Sequence, residues 1–253
     1  YRWGVASIVL IVFGWLSGCN FRLAGKDWGV VFLLSLLRAV TSFSLIIAYQ
    51  NIASGVASTI HFMYPLAVAL AMMFFFREKK SLLVILAVLM SLLGAALLSL
   101  GELEAKSGNT MVGLVAACVS VFSYAGYIVG VRTTRAVQIN STALTCYVMG
   151  LGTIFYLIGA YCTSGLQLVS DGYTWLIILG LALPATAISN ITLVQAIKYA
   201  GPTLTSILGA MEPLTAVVIG VFVFKELFTV NSAVGIILIL LAVSIVVFRR
   251  QKS

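Results

Sequence analysis

Charge is scarce in this sequence, and that scarcity is the first constraint on what the chain can be. Only 9% of its 253 residues are Asp, Glu, Lys or Arg, against 62% that are hydrophobic. No soluble core of this size needs so much apolar surface, and apolar runs of 18 or more residues recur down the chain. Polar stretches long enough to make a soluble domain are missing. The four cysteines, Cys19, Cys118, Cys146 and Cys162, form no CxxC and no paired spacing, which argues against a disulfide framework or a zinc site. They read as small buried hydrophobes. Acid–base chemistry is equally short of parts. Both aspartates, Asp27 and Asp171, fall in polar breaks, His61 is the only histidine, and neither HExxH nor GxSxG occurs. An intramembrane enzyme is therefore left without a nucleophile–base pair, and nothing in the sequence asks for a metal or a cofactor.

What is present is a series of apolar runs with basic residues between them. The net charge of +8 would suit a nucleic-acid ligand if it were clustered, but most lysines and arginines lie between spans. That is the pattern of a polytopic protein whose partner is the lipid bilayer, not nucleic acid. Runs of about 20 residues predict nine helices. They cover 3–18, 28–51, 54–76, 81–100, 110–131, 140–162, 173–197, 202–224 and 229–248. Continuous runs of this length point to helices over a closed barrel, so the expected class is an all-α polytopic membrane protein. The chain opens on "YRWGVASIVLIVFGW", which has no initiating methionine and no signal-peptide cleavage site.

Basic residues set the expected orientation. With the 19–27 loop in the cytoplasm, that side collects Arg22, Lys26, Arg77, Lys79, Lys80, Arg132, Arg135, Lys198, Arg249, Arg250 and Lys252. The other side keeps Arg2, Lys106 and Lys225, a bias of eleven to three that puts the C-terminus in the cytoplasm.

An internal repeat sharpens the architecture. Residues 48–100 shifted by 148 positions lie over 196–248 without a gap, and ten of the 53 pairs are identical. "MYPL" at 63–66 falls on "MEPL" at 211–214, and Glu78 falls on Glu226. The shift spans five predicted helices, an odd number, so the copies run oppositely through the bilayer. Inverted repeats are a transporter signature, with the substrate near the midplane. Helix 140–162 matches helix 3–18, whereas helix 110–131 would map before residue 1. The expectation is therefore a five-plus-five protein of ten helices when intact, with about 35 further residues upstream carrying one more span.

Two blocks carry a family resemblance: "LLRAVTSFSLIIAYQNIASGVASTIHFMYPLAVALAMMFFFREKKS" and "ALPATAISNITLVQAIKYAGPTLTSILGAMEPLTAVVIGVFVFKELFTVNSAVG". In each, a helix ends in an Ala- or Gly-rich bend, the next carries a mid-span proline, and a glutamate marks its end. The chain resembles the EamA-like branch of the drug/metabolite transporter superfamily over essentially its whole length. It departs in lacking the first helix and in placing Tyr64, not a carboxylate, opposite Glu212. The resemblance implies a first repeat over 1–101 and a second over 110–253. It also implies an inner-membrane carrier of bacterial type that exports amino acids or other metabolites by alternating access. An intramembrane enzyme and a non-transporting membrane subunit are the rival readings.

Polar residues inside spans are the candidate site. Arg38 lies ten residues into its helix, about 15 Å deep in a core of roughly 30 Å, where an unpaired charge costs at least about 2.5 kcal/mol. It reads as an anion-binding or gating arginine, or as a structural one bonding carbonyls of the next helix. His61 shares a stripe with Ala57, Tyr64 and Val68 beside Pro65, and imidazole is the side chain that changes charge near neutral pH. Glu212 is the repeat mate of Tyr64, flanked by the small residues Thr205, Gly209 and Ala216. It reads as a substrate-amine or proton site, or as an acceptor for backbone freed by Pro213. Asn190, mirroring Ser42, is a candidate hydrogen-bonding wall. Tyr124 and Tyr127 are candidate cavity lining. His61, Tyr64 and Glu212 are expected to border one central cavity with Arg38 and Asn190 deeper in its walls. Pro65 and Pro213 are the expected helix kinks. The implied partners are a small-molecule substrate and protons. Glu78 and Glu226, at helix ends, read as solvated anchors.

The charge bias makes a direct prediction. Reporter fusions at Lys80 and Ser253 should both read as cytoplasmic and one at Lys106 as external. A cytoplasmic signal at Lys106 would overturn the helix count between them.

Overall fold

The computed structural model describes residues 1–78, 82–99, 108–163, 165, 169–209, 211–222 and 229–251. Among these the regular structure is helical: α1 (Arg2–Leu16), α2 (Trp28–Asn51), α3 (Ser54–His61), α4 (Tyr64–Phe75), α5 (Leu82–Ser99) and α6 (Thr110–Thr133). The second part of the chain forms α7 (Ser141–Thr163), α8 (Gly172–Ala182), α9 (Ser189–Ala200), α10 (Pro202–Leu208), α11 (Met211–Phe222) and α12 (Val230–Gln251). A π-helical turn, Leu183–Ile188, joins α8 to α9. Five helical stretches among the described residues are long and apolar enough to cross a membrane: 25–51, 54–75, 110–133, 141–162 and 172–200. Large apolar side chains such as Phe75 and Leu82 stand more than four-fifths exposed, as a lipid-facing surface requires.

Three of the expected spans are interrupted, and all four prolines of the chain sit at the irregularities. Proline has no N–H and crowds the carbonyl four residues back. Four back from Pro65 is His61, where α3 ends. Four back from Pro213 is Gly209, which caps α10. Pro184 opens the π-helical turn, and Pro202 occupies the first turn of α10, where a missing N–H costs nothing. The proline-marked bends of 54–76 and 202–224 are thus breaks in the helix. The interruptions also follow the repeat: α3 begins at 54 and α10 at 202, α5 at 82 and α12 at 230, each pair 148 apart.

The chain divides into two compact units, and each draws helices from both sequence repeats. The first comprises residues 1–39 and 130–200. Its core is Ala6, Leu10, Cys146, Ala182 and Ala187, with Val5, Phe21 and Ile191 against it. α1 lies close along α7: the Ser7 hydroxyl donates to the Cys146 carbonyl at 3.3 Å, and Trp3 rests on Gly152, where a Cβ would overlap its ring.

The second unit comprises 40–129 and 201–253. One core gathers Ala69, Ala87, Val88, Ile207 and Ala242; another gathers Ala48, Ile52, Ala57, Ala116 and Ala117. Its central seam is α5 on α12. A Cβ at Gly94 would lie 2.7 Å from the Gly235 carbonyl oxygen and from Ile239 Cγ1. Small residues let helices approach closely where lipid offers no hydrophobic drive for association. Gly94→Val should therefore force this seam apart and cost about 1–3 kcal/mol. Thermal unfolding in detergent checks this, and an unchanged melting temperature would contradict the seam.

Candidate functional site

The break between α3 and α4 builds a polar cluster in the second unit. Its backbone is satisfied locally, as a span in hydrocarbon demands. Phe62 and Met63 donate to the Ser58 and Ile60 carbonyls, and the Leu66 and Ala67 N–H groups return to Met63. This turn sets His61 against α6. Its Nδ1 lies 3.0 Å from the hydroxyl of Ser120, whose side chain is fully buried. That hydroxyl in turn donates to the Ala117 carbonyl at 2.6 Å. A carbonyl can only accept, so the serine proton is committed and Nδ1–H must be the donor. The tautomer follows: in the neutral ring the hydrogen sits on Nδ1.

Aromatic rings complete the cluster. His61 stacks on Tyr124 at 5.4 Å and approaches Tyr64 at 5.5 Å; Tyr64 meets Tyr124 edge-on at 4.7 Å. Tyr127 lies parallel to Tyr124 at 6.3 Å and is buried. Ser120, Ser123, Tyr124 and Tyr127 fall at i, i+3, i+4 and i+7 and so share one face of α6. Ser123 faces the Thr41 hydroxyl at 3.0 Å. Sequence reasoning named both tyrosines and missed Ser120, although that spacing from Tyr124 and Tyr127 was its signal.

Tyr64 is buried and its hydroxyl presses on Gly209, where a Cβ would overlap it. The crossing therefore brings the broken α3–α4 pair onto the α10–α11 break. Glu212 follows in the first turn of α11, exposed, its N–H bonded to the Gly209 carbonyl at 3.0 Å.

A second polar group lies in the first unit, around the π-helical turn. Thr186 donates its hydroxyl to the Leu181 carbonyl five residues back, and Asn190 donates Nδ2–H to the Thr186 carbonyl at 2.7 Å. That fixes the amide so that Oδ1 accepts from Arg38 Nη2 at 3.3 Å. The guanidinium also sits 5.9 Å from the Trp3 ring centroid, a cation–π placement, and Trp3 is braced edge-on by Tyr156. The structure thus gathers His61, Tyr64 and Tyr124 in one cluster, with Glu212 on the element that follows Gly209. It joins Arg38 to Asn190 in a second. Insertions of the π type are frequent at functional positions. Glu226 lies outside the described residues. Among the described residues no group of His, Cys, Asp and Glu could hold a metal ion, and the four cysteines are free.

Gly209 has φ −59, so alanine there meets no left-handed backbone strain; the Tyr64 hydroxyl is its chief obstacle, with the Ser206 carbonyl oxygen next at 3.0 Å. Gly209→Ala should cost about 1–3 kcal/mol. Most of that loss should vanish when Tyr64→Phe is added, which a double-mutant cycle of melting temperatures will read. Simple additivity would contradict the contact.

Comparison with known proteins places this geometry. The sequence model of the EamA-like transporter family matches residues 1–100 and 111–248. An uncharacterized transporter of Archaeoglobus fulgidus is 28% identical over 238 residues, covering 93% of this chain and 83% of its own. A solved crystal structure superposes with a TM-score of 0.83 at 18% identity, covering all of this chain and 87% of that one. At that identity the likeness speaks for the fold alone.

Proposed function

Since the chain belongs to the EamA-like transporter family and is a multi-pass membrane transporter, we propose that it is a secondary carrier exporting amino acids or related small metabolites across the bacterial inner membrane. In this reading it works by alternating access between inverted repeats, with its C-terminus in the cytoplasm, and coupling to protons.

The observation that carries this reading is the cluster of His61, Tyr64 and Tyr124 at an interrupted span. An imidazole held by Ser120 at Nδ1 is the side-chain type that exchanges protons near neutral pH. Tyrosine faces beside it attract an ammonium group and stack with planar side chains. Glu212 supplies negative charge for an amine, or holds a proton. In the first unit Arg38, oriented by Asn190, is a separate positive group able to meet a carboxylate. The breaks at Pro65 and Pro213 are the points at which α3–α4 and α10–α11 flex. An intramembrane enzyme would instead turn over substrate in detergent without any gradient.

Proteoliposome efflux against a panel of amino acids and other metabolites, with and without a pH gradient, tests the reading. Glu212→Gln should abolish transport or its pH dependence, while Pro213→Ala slows turnover with substrate binding intact. If Glu212→Gln transports normally between about pH 5 and 8, the carboxylate is a structural acceptor only.

A further inference from the structure

The first unit carries most of its charge at one end. Arg2 and Asp171 belong to the other end, where Tyr1 meets Trp175 edge-on, and Arg38 lies between the two. The remaining charged side chains of the unit are Arg22, Lys26, Arg132, Arg135 and Lys198, with Asp27 as the one acid among them. Contacts between distant segments hold this end together. Arg135 Nε meets Asp27 Oδ1 at 2.8 Å, and Arg132 Nη1 donates to the Lys198 carbonyl at 2.6 Å. Lys198 Nζ in turn donates to the Ile139 carbonyl, and the Tyr147 hydroxyl donates to the Phe21 carbonyl at 2.7 Å.

These bonds sort the cations. Arg135 has taken the acid. Arg132 and Lys198 stand in the last turns of α6 and α9, where the helix dipole favours positive charge. Each meets a backbone carbonyl there, and among the described residues neither meets a carboxylate. A carbonyl occupies one of the five N–H donors of a guanidinium, or one of the three of an ammonium, and neutralises neither. Lys198 is also partly buried, and a charge withdrawn from water is costly without a counter-ion. The two cations are joined through Lys198 itself, whose carbonyl holds the one while its ammonium is the other.

Depth decides which anion can reach them. The apolar spans 110–133 and 172–200 end beside these residues, at the level of the lipid headgroups, where phosphodiester is the abundant anion. Trp28 and Tyr199 are exposed at the same end, as aromatic residues at a membrane interface are. Basic groups set between spans at this level suit anionic headgroups, and a guanidinium fork matches phosphate oxygens. We propose that Arg132 and Lys198 form a binding site for the headgroup phosphate of an anionic phospholipid. The Arg135–Asp27 pair fixes the rim by tying the 135–138 turn to the start of α2, and the bound phosphate supplies the counter-charge that the chain does not.

The test places the full chain in nanodiscs of phosphatidylcholine alone or mixed equally with phosphatidylglycerol. In the unaltered protein, an amine-reactive acetylating reagent and peptide mapping read each lysine. Phosphatidylglycerol should slow acetylation of Lys198 about fivefold relative to Lys26, which stands at the same end outside the site. Native mass spectrometry then counts the lipid retained from the mixed discs. Arg132→Gln and Lys198→Gln should each lower the preference for phosphatidylglycerol about fivefold. Lys198→Arg, which keeps the charge, and Arg22→Gln should leave it unchanged. Equal slowing of Lys198 and Lys26, or an equal loss with Arg22→Gln, would reduce the effect to the general field of the basic end and overturn the site. Protection of Lys198 by inorganic phosphate in phosphatidylcholine discs would make the ligand a soluble anion and overturn the lipid assignment.

Discussion

Inside hydrocarbon every backbone N–H and C=O must find a partner within the protein, and the rest of this structure answers to that requirement. It explains why the described residues form helices and why, within the described spans, the interruptions fall at three proline-marked points. At each point the freed groups are met within a turn. Ser58, Ile60 and Met63 carbonyls serve the first, Leu181 and Thr186 carbonyls the second, and Thr205 and Ser206 carbonyls accept from Gly209 at the third. Polar side chains have reason to be at membrane depth only near such points. His61, Asn190 and Glu212 all sit at or beside one.

The same requirement decides how charge is tolerated. Arg38 costs at least about 2.5 kcal/mol at mid-depth if alone, and a hydrogen bond from a charged donor recovers about 1.5–3 kcal/mol. The guanidinium meets both Asn190 Oδ1 and the Trp3 face. Asn190 can take that role because its own amide is pinned by the π-helical turn.

Close approach through small residues is the second organising feature. Gly94 at Gly235, Gly152 beneath Trp3 and Gly209 beneath Tyr64 each admit an atom where a Cβ would stand. These contacts show that the two repeats no longer do the same work. Tyr64 packs where its mate Glu212 brings a carboxyl group, and Thr203 bonds Glu78 where its own mate is Gly55. Divergence at matched positions thus gives a repeated sequence pattern different side-chain chemistry in its two copies.

Hydropathy, proline positions and the repeat were legible in the sequence because each is a local or periodic property. Apolar runs of bilayer length can only be helices, and a proline removes a donor wherever it sits. The starts expected at 54, 81, 202 and 229 fall within one residue of those found, 54, 82, 202 and 230. His61, Tyr64, Tyr124, Asn190 and Arg38 were also nameable, since polar groups in apolar runs stand out. What the linear order could not decide was partnership. Ser120 choosing the His61 tautomer, Tyr64 reaching Gly209, Thr203 meeting Glu78 and Trp3 covering Arg38 all join residues far apart in sequence, by pairings that depend on which helices cross and at what depth. The π-helical turn was hidden as well: Pro184 forbids a regular ladder but does not say whether the chain will break, as at His61, or widen by one residue. Only the packing around Thr186 and Asn190 chose between them.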